Sequence, residues 1–490
     1  MTFTSSQPER SEAEGLRASR TLADTIDTMG FTRSHKLILL LVVFGVFFDV
    51  IEQNAVGLVG PALQESWGIG AGQIGLLNSA TFFAMTVGGI VSGALADRFG
   101  RRNVLAVNLV VYACGALLCA LAPNFGLLLV FRTIVGLGLG GELSTAITML
   151  AEFSPTRFRA AAVSTLNVAG GGIGNFLAPL YGMLIFGSLA PLLGSSENTW
   201  RWLFGFLVLP VVLIVVFRRY LPETPRYLLA KGRIDECNRT LTILKNGRLV
   251  PRGRSIPVTR FIEKPGAIGL SPEKVRISEI FSARLRRRSI AVSTTYFMLT
   301  AGQISILTLM PTILVSQGFS IVAGVGYTAV MQAGSLLGAL TAAVIGSRFK
   351  RRSVIALSTI GAACSAIAFG IFATTTPTVL GLGALFQFFI LMLNTTVWAW
   401  LPELFPTRIR GFGTGVVKSI GGLGAVIMTP VAGFIFDAWG LSAIFATVGA
   451  LYLLALLASR FGPETAGLSL EELNEEADNP AGEPRTEDQQ

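Results

Sequence analysis

Charge is scarce in this chain. Only 14% of its 490 residues are Asp, Glu, Lys or Arg, against about 25% in an average soluble protein, which argues against an ordinary water-soluble domain. Histidine occurs once, as His35, so proton chemistry in the remainder of the chain has to rest on carboxylates. The four cysteines, Cys114, Cys119, Cys237 and Cys364, show no metal-ligand spacing, and Cys114 and Cys119 do not share a helix face; they are packing residues, and no metal is expected. No G-x-x-x-x-G-K-[ST] loop is present, which excludes ATP-driven pumping. Neither a cofactor nor enzyme activity is expected.

Apolar surface is abundant. Hydrophobic residues make up 51% of the chain and the mean hydropathy is +0.62. Runs long enough to cross about 30 Å of hydrocarbon recur with short polar breaks. They predict an all-α membrane protein of twelve transmembrane helices, near 37–61, 73–96, 103–122, 126–150, 161–186, 201–217, 289–314, 322–345, 353–373, 377–401, 412–435 and 441–459. The first run follows a polar stretch and has no cleavage site of the signal-peptide kind, so it reads as an anchor that stays. A net charge of +10 raises the question of nucleic acid, but all but three of the 39 Lys and Arg fall on one side of these spans. The basic balance therefore sets topology: both termini in the cytoplasm of a bacterial cell, the chain in the inner membrane, the bilayer as partner and no nucleic acid.

The chain repeats itself. ALADRFGRR (94–102) is echoed by VIGSRFKRR (344–352), and EFSPTRFR (152–159) by ELFPTRIR (403–410), at nearly the same offset. Each motif follows the second or fourth span of its half, so the organisation reads as a tail 1–36, a six-helix bundle 37–217, a basic linker 218–288, a second bundle 289–460 and a tail 461–490. Repeats of this kind place a substrate site near the bilayer midplane.

These fragments resemble a family. GALADRFGRR (93–102) is similar to the signature between the second and third helices of the major facilitator superfamily, and RTIVGLGLGGE (132–142) to its fourth-helix pattern. LPETPRYLL after the sixth span and GPETAGLSLEEL after the twelfth resemble the sugar-porter branch and its organic-acid relatives. The first span, FFDVIEQNAVGLVGPAL (47–63), resembles the D-x-x-D pattern of aromatic-acid/proton symporters and nicotinate-type transporters, with Glu52 in the second acidic place. The resemblance implies uptake of an organic acid. It disfavours sugar, because of the polar seventh-helix set of sugar porters only Gln303 remains. In the eleventh span the organic-acid branch carries an Arg within G-R-x-G, and Gly422 stands in that place here.

Five charges lie inside the predicted spans: Asp49, Glu52, Arg132, Glu142 and Lys418. Each is costly in lipid unless it meets a partner or a wet cavity, so function is the default reading. Asp49, Glu52 and Gln53 share one helix face. Two carboxylates so close repel, and burial disfavours their charge, so one is expected to take up a proton near neutral pH. Asp49, Glu52 and Glu142 are therefore the candidate proton carriers; the alternative is that they pair with Arg132 or Lys418 and hold the bundle together. Arg132 could pair with a first-span carboxylate or hold a substrate carboxylate. The glycines after it suit close helix packing. Lys418 lies one turn before Gly422 and could supply the missing cation, or snorkel to the surface. Gln53, Asn167, Asn175, Gln303, Gln332, Asn394 and Trp398 are further cavity candidates; Asn394 and Trp398, one turn apart, suit a flat solute with polar edges.

The motifs at the ends of the second and fourth spans have a gating character. Asp97 can meet the positive N-terminus of a helix, and Arg98, Arg101 and Arg102 can pair with Glu152 or Glu403, with Arg157 and Arg408 in the companion motif. In the family such groups resemble a latch on the inner face, and Ser347 in place of Asp97 makes it asymmetric. In the linker, 222–245 predicts a short amphipathic helix, while 246–272 and the tail after Ser469 are expected to be mobile.

Together these readings predict a monomeric secondary transporter that takes up a small aromatic or nicotinate-like acid with protons. The alternatives are export, a cationic, sugar or drug-like solute, and a receptor of the same fold that moves nothing.

Overall fold

The computed structural model describes residues 22–194, 198–262, 276–345, 349–406 and 409–465, without the side chains of residues 160, 163, 164 and 167. Membrane-length helices follow in order: α1 Arg33–Trp67, α2 Ala71–Phe99, α3 Arg101–Ala120, α4 Phe125–Phe153, α5 Val168–Ser188, continuous with Thr156–Asn167, and α6 Thr199–Tyr220. After the linker come α7 Arg286–Ser316, α8 Ile321–Ile345, α9 Arg351–Phe372 and α10 Thr376–Glu403. The last helical stretch, Arg410–Ser459, has 50 residues, about 75 Å at 1.5 Å per residue, far more than one crossing needs. Gly440 interrupts it with φ 75° and ψ −164°, a conformation closed to residues with a Cβ. It thereby yields α11 (410–439) and α12 (441–459), completing twelve spans. Each predicted run appears as a helix, usually a few residues longer because hydrogen bonding continues past the hydrocarbon.

Local chemistry sets the boundaries. The Asn124 side chain accepts a hydrogen bond from the Leu127 amide at 2.9 Å and starts α4. Gly68, at φ 64°, ends α1 and turns the chain into α2. In α4 the glycines allow backbone contact: a Cβ on Gly136 would meet the Thr81 carbonyl of α2, one on Gly138 the Tyr112 amide of α3, and one on Gly140 would lie 1.9 Å from the Met85 carbonyl. Without a hydrophobic drive between helices in lipid, such close approach is how they hold together. Helix α5 widens into π-helical turns at Val168–Gly174, a VAGGGIG run, and again at Leu184–Ser188.

Contacts divide the chain into two units. One comprises 1–273 with 305–332 and 429–438; the other comprises 274–304, 333–428 and 439–490. The first unit therefore takes in one end of α7, α8 and α11. The reason is again small residues: Gly57 and Gly60 of α1 lie against Thr308 and Thr312, Gly75 against Pro430, and Gly182 of α5 against Val325.

The linker folds as two short helices, Pro225–Ala230 and Ile234–Asn246. Of the stretch expected to be mobile, the described part is pinned. The Asn238 amide oxygen accepts from the amides of Phe261 (2.9 Å) and Ile262 (3.0 Å), and its NH2 donates to the Ile262 carbonyl. Residues 263–275 and the acidic tail lie outside the described residues.

Candidate functional site

In the first unit the intramembrane charges sort into two pairs. Arg132 and Glu52 form a buried ion pair with both side chains 0% exposed. Arg132 Nε also donates to Thr81 Oγ1 at 3.1 Å, and its guanidinium faces the Phe204 ring at 5.5 Å. Of the two roles open to Arg132 from sequence, this geometry realises pairing with a helix carboxylate. Asp49 instead meets Glu142. Glu142 reaches α1 one turn before Asp49, where a Cβ on Gly45 would lie 2.8 Å from its Oε1, which brings its carboxyl to the face of α1 that carries Asp49. Among the described residues neither Asp49 oxygen has a donor, although both are buried. Two acceptor-only groups in contact repel unless a proton lies between them. The close acidic pair is thus Asp49 with Glu142 rather than Asp49 with Glu52. Gln53 is half-buried beside them, and Asn175 accepts from Asn54 at 2.9 Å, a bond between α1 and α5.

In the second unit a polar and aromatic cluster forms on α7, α10 and α11. The Lys418 ammonium lies 3.5 Å from the centroid of the Trp398 ring. Trp398 Nε1 donates to the Tyr296 hydroxyl at 3.1 Å, and the Asn394 NH2 to Gln303 Oε1 at 2.8 Å. Among the described residues no carboxylate pairs with Lys418. Small residues make the cluster possible: Gly421 of α11 lies against the Tyr296 ring, and Thr300 donates to the Gly421 carbonyl at 2.6 Å. Tyr296 was not anticipated; the signal for it was the need of a half-buried indole N–H for an acceptor. The Asn167 side chain and Arg408, with Ser347, lie outside the described residues.

At the linker end of the helices, Arg101 pairs with Asp97 at 2.7 Å and with Glu152 at 3.1 Å. Its counterpart Arg351 pairs with Glu403 at 3.1 Å. The Asp97 side chain is 70% exposed. Arg98 and Arg157 lie over the neighbouring Phe99 and Phe158 rings, and Arg102 donates to Asn103 at 3.4 Å. Sequence reasoning missed a second device here. Glu223 accepts from the amides of Arg101 (2.9 Å) and Arg102 (3.2 Å), capping α3, and Glu464 does the same for Arg351 (2.8 Å) and Arg352 (3.1 Å) at α9. The repeated P-E-T after α6 and α12 was the signal.

A third feature, also missed, lies at the opposite end. Asp437 of α11 accepts from the amides of Ala71 (3.0 Å) and Gly72 (2.9 Å), one through each oxygen, at the N-terminus of α2. There the helix dipole favours an anion. Phe434 and Gly433 close against Gly72 and Ala71, and Asn78 of α2 donates to Thr308 of α7.

Comparison with known proteins agrees with this fold. The model of the sugar (and other) transporter family matches residues 38–477. The niacin transporter NiaP of Acinetobacter baylyi is 31% identical over 92% of this chain and 99% of its own. The 4-hydroxybenzoate transporter PcaK of the same organism is 29% identical over 84% of this chain and 87% of its own. A gallate transporter of Pseudomonas putida is 28% identical over 89% and 93%. Among solved structures, the inward-open xylose transporter XylE of E. coli superposes with a TM-score of 0.68 at 18% identity, covering 90% of this chain and 99% of its own. With twelve spans, a family match over nearly the whole chain and relatives that are transporters rather than enzymes, this chain is a multi-pass membrane transporter of the sugar (and other) transporter family, within the major facilitator superfamily.

Proposed function

We propose that this transporter carries a small aromatic carboxylic acid, of the benzoate or nicotinate kind, into the cell together with protons by alternating access. The observation that carries the reading is Lys418, an ammonium resting on the Trp398 indole with no carboxylate partner among the described residues. The indole face holds the cation and offers a wall for a flat ring, while the ammonium keeps N–H donors for a carboxylate. Arg132 is already neutralised by Glu52 and serves as part of the scaffold. That relatives are named for niacin, 4-hydroxybenzoate and gallate, all ring carboxylates, supports the same class.

The Asp49–Glu142 pair is the proton carrier. Its unpartnered oxygens take a proton, and by linkage a proton that favours anion binding is itself held more tightly when the anion is bound. Asp437 on the α2 N-terminus acts as the latch of the outer face, with the linker and both termini in the cytoplasm, as the distribution of Lys and Arg favours. The chain works as a monomer in the bacterial plasma membrane.

The test is uptake by proteoliposomes under an imposed pH gradient. Benzoate, nicotinate or 4-hydroxybenzoate should accumulate uphill when the outside is acidic, and the neutral amides should not. Failure of all three acids to accumulate would refute the proposal.

A further inference from the structure

Between the start of α3, the end of α6 and the two linker helices lies a cavity of about 350 Å³. Six guanidinium-bearing residues line it: Arg102, Arg218, Arg219, Arg233, Arg239 and Arg252. Only two carboxylates join them, and both are engaged. Glu223 caps α3 through the amides of Arg101 and Arg102, and Glu236 is held by Arg233 at 2.5 Å. Arg239 donates to the Arg254 carbonyl at 2.6 Å. The side chains of Arg218 and Arg252 make no hydrogen bond or ion pair among the described residues, yet both stand close enough to Arg102 for like charges to repel. Arg102 Nε is buried without a hydrogen-bond partner among the described residues.

A topology signal requires only that Lys and Arg lie on one side of the membrane; it does not require them to converge. Here six guanidinium groups share one lining with only Glu223 and Glu236 to balance them, around a space as large as a small-molecule site. Planar guanidinium forks are the groups that hold phosphate oxygens two at a time. We infer that this cavity binds a phosphate-bearing anion of at least two negative charges, either a soluble phosphate compound or the headgroup of an anionic phospholipid. The ligand bridges α3, α6 and the linker, so it ties the linker to the helix ends that Glu223 already clasps. This site is separate from the Lys418 cluster, and its ligand is not the transported solute.

The experiment uses the full chain in nanodiscs of zwitterionic phosphatidylcholine, titrated with inorganic pyrophosphate by calorimetry. Saturable binding is expected, weakened at least tenfold in the double variant Arg218→Ala/Arg252→Ala. Those two side chains hold no hydrogen bond or ion pair among the described residues, and melting of the variant checks that the fold is kept. Should the variant melt early, Arg218→Lys/Arg252→Lys replaces it; it keeps the charge but loses the fork and should bind several-fold more weakly than the native chain. A second arm repeats the titration with phosphatidylglycerol in the disc. Loss of pyrophosphate binding there identifies a lipid headgroup as the occupant, and unchanged binding identifies a soluble phosphate; either outcome supports the site. Absence of saturable pyrophosphate binding in phosphatidylcholine discs, or equal affinity in native and variant proteins, overturns it.

Discussion

Glu52 and Arg132 are each 0% exposed and pair through Glu52 Oε1, while Glu52 Oε2 has no hydrogen-bond partner among the described residues. Replacing Glu52 by Gln leaves a guanidinium in the membrane interior without its counter-charge, with neutral partners such as Thr81, the backbone carbonyl of residue 52, the new amide oxygen and the Phe204 ring. Breaking a buried pair by removing one member costs about 3–5 kcal/mol, because the other charge is left uncompensated. Arg132→Met should cost a similar amount by stranding Glu52. Removing both charges removes the penalty, so Glu52→Gln/Arg132→Met should recover most of the loss, with a coupling energy of at least about 2 kcal/mol. Unfolding titrations in mixed detergent and SDS micelles, on all four proteins, measure this directly. If Glu52→Gln is as stable as the native chain, or the two losses simply add, the pair does not hold the bundle and Arg132 is free for another role.

Four further outcomes are expected. Lys418→Ala should weaken binding of benzoate or nicotinate about tenfold or more while leaving the corresponding amide nearly unchanged, as a scintillation proximity assay would report; a charged hydrogen bond is worth roughly 1.5–3 kcal/mol. Asp49→Asn and Glu142→Gln should each abolish acid-driven accumulation, and solute binding, which in the native protein tightens as pH falls from about 8 to 6, should become flat with pH in both, because the proton that favours the anion has lost its site. Asp437→Asn should weaken the cap on α2 by about 1 kcal/mol and raise maleimide labelling of Thr312→Cys, a buried position against Gly60, in a background freed of native cysteines. Gly140→Ala should lower the melting temperature markedly, since its methyl would fall 1.9 Å from the Met85 carbonyl.

The fold was legible because the signals behind it are strong. Twelve apolar runs of membrane length, a one-sided distribution of Lys and Arg and two duplicated motifs each constrain the architecture. The candidate site was legible only as an inventory. Charged residues inside spans stand out, which is why Asp49, Glu52, Arg132, Glu142 and Lys418 were all named. Partner choice depends on helix rotation and on approach distance, which a single sequence does not encode at the resolution of one side chain. Glu52 is one turn from Asp49 along α1, yet it turns toward α4, because Thr81 and Phe204 complete a cage for Arg132 there. Asp437 escaped notice because it lies at the end of a span, where an acid costs little and carries no sequence signal; only the α2 N-terminus opposite it supplies its meaning.

The two glutamate clasps build the same joint twice. Glu223 secures α3 and Glu464 secures α9 by the same bonds, each acid coming from the segment that follows α6 or α12. The first joint therefore makes the linker part of the helix framework, because Glu223 belongs to the linker itself. Arginines gather around this joint, at Arg102, Arg218, Arg219 and Arg252, so whatever neutralises them acts on the start of α3 through the residue that caps it. A change in the linker near Glu223 is thus felt at the third helix, which makes the linker a place from which the helix ends can be stiffened or loosened.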